Sequence, residues 1–210
     1  GEDQDSDARA GEWTGQREKT EQTQSGSDSS GSASSETPLE SLRRRYAEGE
    51  LTDEQFERKL DRLLETETLE DVEAMARDRA ESGFETLILT SDNTTPKPPE
   101  ADETEEWGLV YIVPSNQAAE YEDFAEDVAF TETVVYQATS SGHAFVVTEC
   151  IDPERERTLF VAGTYRLQHA APLVEAALER GEMYTHVKKL DGTEVVTVAH
   201  DDAEQFFPDP

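Results

Sequence analysis

The sequence predicts an α+β protein: a disordered N-terminal tail, a helical hairpin, then a mostly antiparallel sheet with two or three packed helices. Three observations predict it. Residues 1–37 are Gly, Ser, Thr, Gln and acids, with Trp13 almost the only large apolar side chain. Apolar residues then recur at helical spacing from Leu39 to Leu64, and from Phe84 onward the period changes to two between short turns.

Composition sets the frame. The chain carries 49 Asp+Glu against 18 Lys+Arg in 210 residues, a formal charge of −31, and is 34% hydrophobic and 32% charged. That is too polar for a single compact core of this length, so a modest domain plus disordered sequence is expected. The tail, ending in the low-complexity run Ser25 to Ser35, cannot bury enough surface to offset its ordering entropy. Trp13 within it is either a docking residue or an incidental one. No apolar run approaches the roughly 20 residues that cross a bilayer, and Gly1 to Asp7 is acidic where a secretory signal is basic and then apolar. A cytoplasmic protein without a membrane span is therefore expected. The single cysteine, Cys150, makes no internal disulfide and no thiolate zinc cluster.

So negative a field repels phosphate and argues against nucleic acid as a partner. Arg43-Arg44-Arg45, the densest positive cluster, is expected to pair with Glu40, Glu48 or acids of the next helix rather than with phosphate. At salt near 1 M the Debye length is about 3 Å, and the self-repulsion is largely screened. Acids also decorate the folded part, as Glu120, Glu122, Asp123, Glu126 and Asp127 show. With Arg commoner than Lys, the pattern resembles that of cytoplasmic proteins from salt-accumulating halophilic archaea.

The hairpin is expected over residues 38–66. Pro38 suits a first turn, Leu39, Leu42 and Tyr46 share a face, and Gly49 suits the C-terminal cap. Thr52 followed by Gln55 is a capping box, with Asp53 and Glu54 at the positive end of the dipole. Phe56, Leu60, Leu63 and Leu64 form the second apolar face. Two such helices joined at Gly49 to Leu51 make an αα-hairpin too small to be very stable alone. The run Leu39-x-x-Leu42 to Tyr46-x-x-Gly49-x-Leu51-Thr52-x-x-x-Phe56-x-x-Lys59-Leu60 closely resembles the SHOCT module, because turn, staple, cap and core aromatic fall in register. The resemblance implies a small interaction or oligomerisation module with no catalytic residues. Its expected interaction face is Leu39, Leu42, Tyr46, Leu51, Phe56, Leu60, Leu63 and Leu64. In most such proteins the module stands at the C-terminus, whereas here a further domain, 67–210, follows.

In that domain Thr68 is expected to cap a third helix carrying Leu69, Val72, Met75 and Ala76 and closed near Gly83. Phe84 to Thr90 reads as a strand and Thr94 to Glu106, rich in Pro and acids, as a loop. Trp107 to Val113 is apolar on both faces and reads as a central strand. Pro114-Ser115 opens a helix with Ala118, Tyr121, Phe124, Ala125 and Val128 on one side. Strands follow at Phe130 to Ala138, His143 to Ile151 and Thr158 to Tyr165, then a helix from Pro172 to Arg180 ended by Gly181. Asp191-Gly192 marks a last hairpin between Met183 to Leu190 and Thr193 to His200. The segment from Trp107 to the end is similar to a domain of unknown function from halophilic archaea. Thr185-His186-Val187, Glu194-Val195-Val196-Thr197, His200-Asp201-Asp202 and Phe206-Phe207 carry that likeness, which implies no particular chemistry.

Motifs for phosphate-binding loops, dinucleotides, serine hydrolysis and zinc proteolysis do not occur, and no cofactor or metal is assigned. The imidazoles are His143, His169, His186 and His200. With Asp191-Gly192 as a two-residue turn, Lys188 opposes Val195, His186 opposes Thr197 and His200 opposes Met183. His186 and His200 then lie on opposite faces and share neither a metal nor a substrate. His200-Asp201-Asp202 looks chelating, but adjacent side chains rarely aim at one ion. Cys150, on the face of Ala144, Val146 and Thr148, reads as a small buried hydrophobe; a nucleophilic role needs a lowered pKa, which neighbouring Glu149 opposes. The leading expectation is a non-enzymatic protein that self-associates or binds a protein partner through the hairpin. The alternatives are an enzyme using His143, His169 or Cys150, or a regulator binding DNA at high salt. The last lacks a recognition helix rich in Arg, Asn or Gln.

Overall fold

The computed structural model describes residues 36–99 and 106–207. The expected tail, Trp13 included, lies outside the described residues apart from Glu36 and Thr37. The chain divides into two compact units within one helix, the first ending at Thr66 and the second running from Glu67.

The first unit begins with α1 (Pro38–Ala47). Its start is closed by a capping box: Thr37 Oγ1 accepts from Glu40 N at 3.2 Å, and Glu40 accepts from Thr37 N at 2.8 Å. Gly49, at φ +78°, turns the chain in the left-handed region. The second box is as expected, with Thr52 N donating to Gln55 at 3.0 Å and Gln55 N donating to Thr52 Oγ1 at 3.2 Å. It opens α2 (Asp53–Glu81), 29 residues long. No separate third helix starts at Thr68, which is buried inside α2. Threonine in mid-helix is only mildly unfavourable, and no Gly or Pro interrupts the run.

The second unit contains two four-stranded sheets. One has the order β1 (Glu85–Thr90), β6 (Arg157–Arg166), β5 (His143–Asp152), β4 (Glu132–Ser140). The other has the order β2 (Asn93–Lys97), β3 (Gly108–Ile112), β7 (Met183–Lys188), β8 (Glu194–His200). Sequential neighbours pair antiparallel as expected, while β1 with β6 and β3 with β7 pair parallel. The chain changes sheets between adjacent residues: Ser91 N donates to Ala162 O and Asp92 N to Ile112 O, both at 2.9 Å. Strand β2 corrects the expected loop at Thr94–Glu106. Pro96 sits in it because β2 is an edge strand, where a missing N–H faces no partner.

Alternate residues of both sheets form one core. Leu89, Leu159, Val161, Val146 and Cys150 join Leu109, Tyr111, Val113, Met183 and Val187. Helices α3 (Ser115–Phe124) and α4 (Ala171–Arg180) add Ala118, Tyr121 and Phe124, and Leu173 and Ala177. Val128 lies past the end of α3, which stops four residues short of the expected apolar face. On the other face of the first sheet, Val147, Phe160 and Ala162 pack with Val72 and Ala76 of α2.

At Gly163 the two sheets are in close contact. A Cβ there would overlap Thr94 Oγ1 and meet the Tyr111 ring at 2.8 Å. Gly163→Ala is expected to cost about 1–3 kcal/mol by overpacking, read as a lower guanidinium midpoint at unchanged slope.

Candidate functional site

The hairpin face divides by burial. Leu42, Leu51, Leu60 and Leu64 are buried. Leu39, Phe56 and Leu63 are half-buried, and Tyr46 is 39% exposed. Tyr46 stacks on Phe56 with ring centroids 4.4 Å apart, and its hydroxyl donates to Asp53 at 2.6 Å. The arginine cluster pairs locally: Arg44 with Glu36 at 2.9 Å and Glu48 at 3.1 Å, and Arg45 with Glu50 at 3.1 Å. Of the expected partners Arg44 engages Glu48, four residues along, while Glu36 and Glu50, which were not expected, hold Arg44 and Arg45, and Glu40 closes the cap on Thr37.

In the second unit a cleft of about 250 Å³ opens between the start of β4 and the end of β8, lined by Phe130, Thr133, His200, Asp201, Asp202 and Gln205 among others. His200 forms part of its wall and is 4% exposed. Its Nδ1 lies 2.9 Å from Thr133 Oγ1 on β4, and its Nε2 lies 2.9 Å from Thr185 Oγ1 on β7, so one ring ties the two sheets. A neutral imidazole offers one donor and one acceptor, and each hydroxyl takes either role. Burial pushes the imidazole down to about 4, so it is neutral at pH 7. Asp201 and Asp202 are exposed, and no group of three His, Cys, Asp or Glu among the described residues has metal-holding geometry.

The other imidazoles are dispersed. His186 opposes Thr197, and its ring bonds Thr197 Oγ1 and Trp107 O, each at 2.9 Å. His200 opposes Met183, on the other face of the same sheet. The last hairpin differs at its tip. Lys188 opposes Glu194 rather than Val195, because the loop is Leu190-Asp191-Gly192 with Gly192 at φ +87°, and a bulge between Val187 and Lys188 restores the register. His169 is exposed at the end of the 3-10 turn Leu167–His169 that precedes α4, and His143 is half-buried at the start of β5. His143 and Cys150 are seven residues apart on one strand, hence on opposite faces and about 23 Å apart at about 3.3 Å per residue.

Cys150 is fully buried, and burial with help from Glu149 pushes its thiol up to about 12. Thiol reagents are therefore expected to label it no faster than the domain opens, and stoichiometrically past the denaturation midpoint. Reaction of the folded chain within mixing time would contradict this.

Two polar groupings had no local sequence signal. Glu149, 1% exposed on β5, accepts from Arg79 Nε at 2.6 Å and from Tyr136 OH at 3.0 Å. Between the sheets, Thr94, Tyr111, Thr148 and Tyr165 bury their hydroxyl oxygens, with the Thr148 hydroxyl placed to hydrogen-bond the Tyr111 phenol. Burial raises both phenols above their usual range, Tyr165 to about 12, so both stay protonated.

A model for a family of unknown function, DUF7529, matches residues 55–208. A model for the short C-terminal domain, SHOCT, matches residues 37–64. No curated protein and no solved structure matches the chain. The DUF7529 match spans most of the sequence, and the chain belongs to that family.

Proposed function

We propose that this member of DUF7529 is a non-enzymatic interaction protein that self-associates through its SHOCT hairpin in a high-salt cytoplasm. One observation carries the reading. Within a unit of some thirty residues closed by two capping boxes, Leu39, Tyr46, Phe56 and Leu63 keep apolar surface in water. Leu39 and Tyr46 share a face of α1, and Phe56 and Leu63 share a face of α2, at helical spacing. A second copy of the same hairpin offers the same patch, which a two-fold interface pairs with itself. The charge of −31 supports the setting: high salt screens the repulsion between two such chains while strengthening apolar association. No helix among the described residues is long and apolar enough to cross a membrane.

The test is mass by light scattering at salt above about 1 M, where exposed charges are screened within about 3 Å. The full chain is expected to be a dimer or larger, and Tyr46→Glu/Leu63→Glu to be monomeric with unchanged helical circular dichroism. A monomeric full chain at every concentration would sink the proposal. Leu60, being buried, is the wrong site to probe, since a charge there unfolds the hairpin whatever its role.

A further inference from the structure

The two sheets are joined differently at their two margins. On one, the chain itself crosses between them, from Ser91, bonded to β6, to Asp92, bonded to β3. On the other, β4 and β8 are the free edges of their sheets, and side chains join them. His200 Nδ1, at the end of β8, lies 2.9 Å from Thr133 Oγ1 of β4. Gln137 Nε2 of β4 also donates to Gln205 O, in the turn Glu204–Phe206, but at 3.5 Å that bond is long. The same His200 ring walls the cleft of about 250 Å³ between the start of β4 and the end of β8, which Asp201 and Asp202 also line. A water needs only about 10–15 Å³, so the cleft has room for an imidazole with water about it.

We propose that this margin is an acid-opened seam: on protonation the His200 side chain leaves its place between Thr133 and Thr185 for the cleft, and the start of β4 parts from the end of β8 while β5 and β6 stay paired. Where the ring is buried, its neighbours are the Thr133 and Thr185 hydroxyls and the Phe206 ring, none of them charged. In the cleft the exposed Asp201 and Asp202 offer an imidazolium two carboxylates and water. Glu132 of β4 and Glu204 of the turn are exposed, and His186 and Lys188 of β7 lie on that strand's other face. Burial holds the closed ring at about 4, and release into the cleft returns it toward 6.5. Between those values each pH unit downward favours the open seam tenfold, about 300-fold in all. An opening present in at least about one molecule in 300 at neutral pH therefore becomes the majority state in acid. What it uncovers is apolar, since Val135 of β4 and Val198 of β8 belong to the core.

The test is native-state hydrogen exchange of the full chain between pH 4 and 6.5, corrected for the intrinsic rate, with His200→Gln beside it. Bonded amides at the start of β4 and the end of β8 are expected to exchange through an opening smaller than global unfolding and insensitive to denaturant. That opening should grow about tenfold per pH unit as pH falls in the parent and stay level in the variant. Amides of β5 and β6 should exchange only with the whole domain. Seam amides that exchange only by global unfolding at every pH would overturn the proposal, as would a pH dependence that survives in His200→Gln. Should that variant not fold, magnetisation transfer between the parent's imidazole and the Phe206 ring gives a second reading. Its loss as the imidazole protonates is the expected result, and its persistence through the titration would overturn the proposal.

Discussion

Arg79→Met is expected to destabilise the second unit by about 3 kcal/mol, the largest loss from any single side-chain removal considered. The magnitude comes from what is left behind. Glu149 is 1% exposed, and removing its guanidinium partner leaves a carboxylate in low dielectric with only the Tyr136 hydroxyl for company. Breaking a buried pair from one side costs about 3–5 kcal/mol. The lower end applies because the Arg79 side chain is 35% exposed, so water already screens part of the interaction. The double change Arg79→Met/Glu149→Leu is expected to recover most of the loss, since two apolar side chains of similar volume can replace an ion pair without cost. Val72, Ala76, Val147 and Phe160 supply the apolar surroundings they would join. Urea or guanidinium denaturation of the four-member cycle measures it, and near-additive losses would show that the pair is not coupled.

That pair also shows where sequence reasoning stops. The hairpin was legible because its devices are local: Thr52 and Gln55 lie three residues apart, and Gly49 sits where only a left-handed turn fits. Short turns between β4, β5 and β6 were legible for the same reason. The partition into two sheets was not, because it depends on the parallel pairings of β1 with β6 and β3 with β7, across long stretches of chain. Strand β2 was hidden by Pro96, which reads as a breaker until the strand is known to lie at an edge. Glu149 looked like one acid among 49, and its partner Arg79 is 70 residues away. The pairing of His186 with Thr197 was legible through the Asp191-Gly192 signal, even though the loop is three residues long, because the bulge offsets the difference.

Acid titration of His200 is expected to remove about 3 kcal/mol of stability between pH 6.5 and pH 4. The imidazole titrates at about 4 in the folded chain against an ordinary value of 6.5, because burial disfavours its charged form. A difference of two and a half units at about 1.4 kcal/mol each gives the magnitude. Between the two values the unfolded chain holds the proton and the folded chain does not, so stability rises with pH through that window. The contribution is fully present above pH 6.5 and is lost as pH falls through 4. Around the ring lie Thr133 from β4, Thr185 from β7, the Phe206 ring at 4.7 Å, and Asp201 and Asp202 following it in the chain and lining the same cleft. Only those two carboxylates carry charge, and they are exposed, which is why burial prevails. Carboxylates held low, such as Asp152 through the Ala129 amide and Arg155, also weaken the fold as they protonate, but below the His200 window. His200→Gln separates the two, because the amide keeps one donor and one acceptor and does not titrate. The difference in unfolding free energy between parent and variant should climb by about 1.4 kcal/mol per pH unit between pH 4.5 and 6. A difference that stays flat over that range would mean that His200 is hydrated in the folded chain, and that the ring is not the tie between β4 and β7 that its two hydroxyl contacts describe.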